Sequence, residues 1–186
     1  VAPATSTRQA GAAGEGERDR PARLLLLVKH RGGYLRLCEL LTQAYFGPRS
    51  RGRPEISRAA FANGDNSGLI ALSGADGGVI GMALLSGDNA RAQALAQRLS
   101  QCFDGRFYLE LQRAGLATNE PHVRRAVQLA AQLQLPVVAT HPVQFLERDD
   151  HEAHEARVCI AEGETLANPR RIKRFGAEQY FKTQAQ

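Results

Sequence analysis

His141, Asp149, Asp150, His151 and His154 fall in one short stretch. On a helix, His151 and His154 are three apart and Asp150 and His154 four apart, so they share one side. A strand-end His141 facing them would complete a nitrogen and oxygen set that suits zinc or manganese, the setting of a metal-dependent phosphoesterase. No HExxH or other fixed ligand spacing accompanies them. Asp-Asp-His-Glu is also a capping start, because acidic residues suit the positive N-terminus of a helix.

Other groups invite weaker chemistry. Ser73-Gly74-Ala75-Asp76-Gly77-Gly78 could present backbone amides to a phosphate, but it lacks the Lys and the spacing of known phosphate loops, and a tight strand-to-helix turn accounts for it. No nucleophile elbow is present. Arg170, Arg171, Lys173 and Arg174, with Arg49, Arg51 and Arg53, could touch DNA phosphates, or could be solvated loop charges. His30 and His122 stand alone and read as structural.

The elements that would position these groups follow from hydrophobic patterning. Residues 1–22 are rich in Ala, Gly, Ser, Thr and Pro and read as a disordered tail or loop, so the folded unit runs from 23 to 186. Leu24–Lys29, bounded by Pro21 and Gly32-Gly33, predicts a strand buried on both faces. Tyr34–Tyr45 predicts a helix, as do Val79–Leu85, Ala90–Cys102, Glu120–Gln134 and Asp149–Ala161. In the fourth of these Val123, Ala126, Val127, Ala130 and Ala131 are expected to face inward. Gly68–Leu72, Phe107–Gln112 and Pro136–Thr140 predict three more strands.

Strands alternating with helices imply a parallel α/β arrangement. Functional groups are then expected at the strand carboxyl ends, which selects His30, Ser73–Asp76, Gln112-Arg113 and His141. A hydrophobic content of 43% and a charged content of 23% suit a globular chain, and no apolar run is long enough to span a bilayer. The net charge of +5 favours polyanions only weakly. Cys38, Cys102 and Cys159 are widely spaced and odd in number, which suits buried thiols in a reducing cytoplasm rather than a disulfide framework.

Several collinear segments resemble a known family. FYLELQR (Phe107–Arg113), PVVATHPVQF (Pro136–Phe145), AHEARVCIAEGETL (Ala153–Leu166) and EQYFKT (Glu178–Thr183) are similar to the latter part of the PHP domain of bacterial DNA polymerase III alpha subunits, in the proteobacterial form. LLLLVKHRGGYLRLCELLTQAY (Leu24–Tyr45) and GLIALSG (Gly68–Gly74) resemble earlier elements of the same domain.

The resemblance implies a partial PHP-type distorted (β/α)7 barrel with parallel strands and flanking helices. The opening HxH metal-binding segment of the family is not in this chain. Metal-competent relatives carry Asp-x-His where this chain has Pro142 and Gln144, and a Cys where it has Ala75, so no bound metal and no cofactor are expected in this segment. Side chains of Pro, Gln and Ala can neither balance a metal's charge nor fill its coordination sphere. The implied parent is a cytoplasmic DNA-directed DNA polymerase, a nucleotidyltransferase of DNA replication. Within it this segment is expected to be an inactive scaffold that docks the proofreading exonuclease subunit and meets DNA only through the intact holoenzyme. The alternative is a metal-dependent phosphoesterase or exonuclease of the PHP family.

Overall fold

The four apolar runs lie side by side. The computed structural model describes residues 22–47 and 54–183. The tail before Ala22 and the residues Arg49, Arg51 and Arg53 lie outside the described residues. Strands β1 (Leu25–Val28), β2 (Leu69–Leu72), β3 (Phe107–Gln112) and β4 (Val137–Thr140) form one sheet in that order. Helix α1 (Arg31–Phe46) and the short α2 (Ala59–Ala62) connect β1 to β2. Helices α3 (Val79–Leu85) and α4 (Asn89–Cys102) lie between β2 and β3, α5 (Asn119–Leu133) between β3 and β4, and α6 (His151–Glu162) after β4.

β2, β3 and β4 are parallel, with Leu72 beside Tyr108 and Leu109 beside Val137. β1 is not. It runs antiparallel to β2, with Leu25 opposite Leu72 and Val28 opposite Leu69. The parallel expectation fails there because the chain leaves β1 at the end where β2 begins. Lys29 N–H donates to Gly68 O at 2.8 Å, and α1 starts across that same point. A Cβ on Gly33 would lie 1.9 Å from the Gly68 carbonyl oxygen, so only glycine allows this approach of helix and strand. Hydrophobic patterning reports that a strand exists and is silent on its direction.

The burial expected for β1 is also corrected. Leu25, Leu27 and Val28 are 46%, 44% and 43% exposed, because β1 is an edge strand. The core lies instead under β2 and β3, where Leu69, Ala71, Phe107 and Leu109 meet Ile80 of α3 and Ala92 and Ala96 of α4. Phe103, fully buried after α4, sits 5.6 Å centroid to centroid from Phe61 of α2. The inward face of α5 is His122, Val123, Ala126, Leu129 and Ala130, while Val127 and Ala131 turn outward. Asp88 caps α4 by accepting the Arg91 N–H at 3.0 Å, a contact typically worth about 1 kcal/mol.

Arg36 of α1 is buried and serves as a bracket. Its guanidinium donates to the carbonyls of Ala60 (2.6 Å) and Asn63 (3.0 Å) and to Glu39 (3.0 Å), which holds α2 and its exit turn against α1. No helix among the described residues is long and apolar enough to cross a membrane. Cys38, Cys102 and Cys159 are all free thiols, only Cys159 being fully buried.

Candidate functional site

Parallel β2, β3 and β4 bring their carboxyl ends together, and a buried acid stands there. Glu110 of β3 is 4% exposed. Its Oε2 accepts the Gly74 N–H at 3.1 Å, and its Oε1 accepts from Gln112 Nε2 at 2.9 Å and from the Thr140 hydroxyl. In return Ser73 Oγ accepts the Glu110 N–H at 2.9 Å. One carboxylate therefore ties the loop after β2 to β3 and to the last residue of β4. A buried carboxylate costs several kcal/mol unless donors of this kind surround it.

The glycine-rich loop is shaped for this bond rather than for a phosphate. Gly74 is left-handed (φ 81°), and Ala75–Gly77 makes one 3-10 turn. A Cβ on Gly74 would lie 2.3 Å from the Arg23 carbonyl oxygen. Arg23 reaches this end because β1 is antiparallel, and its N–H donates to Gly77 O at 2.9 Å. His30, expected at the site, lies instead at the opposite end of β2 as the residue preceding α1. Gln112 reaches the cluster; exposed Arg113 turns away to pair with Glu120 at 2.7 Å.

The first turn of α5 closes one side. The Thr118 hydroxyl donates to Asp76, and Asn119 Oδ1 accepts the Ala114 and Leu116 N–H groups at 2.8 and 3.2 Å. His122, 2% exposed, lies beneath. Burial holds its imidazole below the ordinary histidine value, against the attraction of Asp76 and Glu110.

A later segment bonds to the backbone of half-buried Pro142 and exposed Gln144. The Gln144 N–H donates to Gln179 O at 2.8 Å, Gln179 Nε2 donates to Pro142 O at 3.1 Å, and Gln179 Oε1 accepts the Gly176 N–H at 2.8 Å. Phe145 and Tyr180 form a parallel bridge. Phe175–Phe181 is thus a strap across the end of β4, with Gln179 buried at its centre. A Cβ on Gly176 would lie 3.3 Å from the Ala114 carbonyl oxygen, so the strap also meets the chain leaving β3.

The histidine cluster separates into two uses. Asp150 ends a 3-10 turn and accepts the Glu147 N–H at 2.9 Å in a capping box on that turn, while its side chain makes no cap hydrogen bond to α6 itself. His154 turns inward, 6% exposed, between the rings of Phe145 (5.4 Å) and Phe175 (4.8 Å, edge to face), while His151 meets Phe145 at 5.8 Å. His141 Nε2, His151 Nε2 and both His154 nitrogens are buried without a protein partner. Among the described residues no three His, Cys, Asp or Glu side chains are grouped closely enough to hold a metal ion.

The basic tail cluster is partly spent on α6. Arg171 Nη2 lies 2.5 Å from Glu155 Oε2, both side chains being buried, and Arg174 Nε lies 3.3 Å from Glu162. The hydrogen bond to Glu155 holds the Arg171 guanidinium above its already high value, against the cost of burial. Sequence reasoning missed Glu110, Arg23, Glu155 and Gln179. Glu110 left a trace, as an acid inside the apolar run Phe107–Gln112; Gln179 left none.

Comparison with known proteins places this geometry. The PHP domain family matches residues 7–114. The DNA polymerase III subunit alpha of Neisseria meningitidis serogroup A is 48% identical over 165 residues, covering 88% of this chain and 14% of that one. Those of Pseudomonas aeruginosa and Escherichia coli K12 are 42% identical over 171 residues and 36% over 166, covering 91% and 89% of this chain and again 14% of theirs. The chain spans about one seventh of the length of the curated relatives it matches.

Proposed function

Because this chain belongs to the PHP domain family, we propose that it is the non-catalytic structural platform of a bacterial replicative DNA polymerase alpha subunit, and that it docks the proofreading exonuclease subunit. The observation that carries the reading is the Glu110 carboxylate. It sits where a barrel-type sheet gathers its reactive groups, yet its oxygens are committed to Gly74, Gln112 and Thr140. Ala75, Pro142 and Gln144 offer no anionic or imidazole ligand beside it. The cluster ties strand ends together, which suits a rigid support and not a hydrolytic site.

The exposed apolar side chains of β1 and the outer face of α1, among them Leu35 at 53% and Phe46 at 88%, support a role in assembly. Polymerisation of DNA belongs, in this reading, to the intact subunit and not to this segment. The test uses the full alpha subunit carrying this domain. Metal-dependent hydrolysis of a phosphomonoester and of DNA ends is assayed with manganese and zinc, beside affinity for the purified exonuclease subunit. The platform reading expects exonuclease binding and no hydrolysis above that of a Glu110→Gln variant. Metal-stimulated hydrolysis abolished by Glu110→Gln, or a folded subunit that does not bind the exonuclease, overturns it.

A further inference from the structure

His154 is a buried base without a hydrogen-bond partner at the point where the strap is fastened. Its ring is enclosed by Phe145 from the loop after β4 and Phe175 from the strap, at 5.4 and 4.8 Å. The strap in turn supplies Gln179, whose bonds to Gln144 and Pro142 close the end of the sheet. We propose that Phe175–Phe181 is an acid-releasable latch: protonation of His154 frees the strap from α6 and with it the Pro142–Phe145 loop.

The neutral imidazole tolerates an aromatic enclosure, whereas the imidazolium carries two N–H donors and a full charge into a site where neither ring nitrogen has a hydrogen-bond partner. The charged groups around it do not compensate. On α6, His151 and Arg157 repel a proton and Glu155 attracts one, but Glu155 is already paired with Arg171 at 2.5 Å. The strap brings Glu178, which is engaged by Arg148 and Lys182 at 2.7 and 2.9 Å, and the loop brings His141, a further base. Burial is the largest influence and keeps the His154 imidazole below the ordinary histidine value. The uncharged state therefore dominates at neutral pH, and the latch is closed there.

The test is backbone amide exchange on the full chain, corrected for intrinsic rates, from about pH 7.5 down to about pH 5, the range in which histidine titrates. Gln144 N–H and Phe181 N–H report the latch, through bonds to Gln179 O at 2.8 Å and Phe145 O at 3.0 Å. Leu109 N–H, bonded to Pro136 O within the sheet, is the reference. Protection of the two latch amides should fall about tenfold or more across that range, while Leu109 holds. His154→Phe should keep the latch closed at the lower pH. Protection that does not change with pH, or the same acid loss in His154→Phe, overturns the proposal. Should that variant fail to fold, the His154 ring resonances of the unaltered chain decide. A titration midpoint coinciding with loss of the Gln144 bond supports the latch, and a midpoint reached with that bond intact overturns it.

Discussion

The Glu110 carboxylate accepts the backbone N–H of Gly74 at 3.1 Å across a sequence separation of 36 residues. That bond joins the carboxyl end of β3 to the turn after β2 and sets the shape of the candidate site. It makes Glu110 the residue whose loss should be felt most widely.

Glu110→Ala leaves the Gly74 amide, the Thr140 hydroxyl and the Gln112 amide without their acceptor in a buried place. A loss of about 3 kcal/mol is expected in urea unfolding. Glu110→Gln retains one carbonyl acceptor and should cost about half as much. Equal costs would mean that the single carbonyl retained in Gln contributes nothing and that the charge and the second oxygen carry the whole effect.

Two glycines separate steric crowding from backbone preference. Gly33→Ala drives a methyl to 1.9 Å from the Gly68 carbonyl oxygen, backbone against backbone, and should prevent α1 from docking on β2. Gly87 has φ +83° with open space around it, so Gly87→Ala should cost only about 1 kcal/mol. Thermal unfolding of the two variants checks the contrast.

His122 gives the fold a pH dependence whose sign follows from its burial. Its folded-state value lies below 6.5, chiefly through desolvation. As pH falls past 6.5 the unfolded chain takes up the proton first, so stability drops until the folded value is passed. His122→Leu should flatten the profile of urea midpoint against pH between about pH 7 and pH 5. A profile unchanged by that substitution would remove His122 from the explanation.

Glu155 and Arg171 pin the basic tail to α6. Glu155→Gln weakens that pin and should make the segment around Asn168–Arg174 cleave sooner in limited trypsin digestion, with the β-sheet fragments unaffected. Cleavage at the unaltered rate would show that the tail is held by Phe175 and Gln179 alone.

Much of this architecture is legible in local chain chemistry. The runs Gly68–Leu72, Phe107–Gln112 and Pro136–Thr140 become β2, β3 and β4 with ends shifted by a residue at most, because contiguous apolar residues between turn formers have few other uses. The resemblance carried by Leu24–Tyr45, Gly68–Gly74 and Phe107–Arg113 lies within the family match, and the polymerase relatives align over most of the chain. The helix expected over Asp149–Ala161 was also readable, and α6 spans His151–Glu162 with Asp149 and Asp150 in the 3-10 turn before it.

Strand direction and long-range pairing were not legible, and the physical reason is the same for both. Patterning reflects the burial of each residue, and an edge strand such as β1 has a similar pattern in either direction. Only the approach of α1 through Gly33 to Gly68 makes β1 antiparallel, which moves His30 away from the strand ends and brings Arg23 to them. Glu110 finds Gly74 and Thr140, and Gln179 finds Pro142 and Gln144, across some 30 residues or more of chain. Such contacts depend on how whole elements pack. The amino-acid sequence by itself settled where β2, β3, β4 and the long helices lie. Tertiary packing alone decided that a buried carboxylate joins Gly74 to Thr140 and that a glutamine strap is bonded to Pro142 and Gln144.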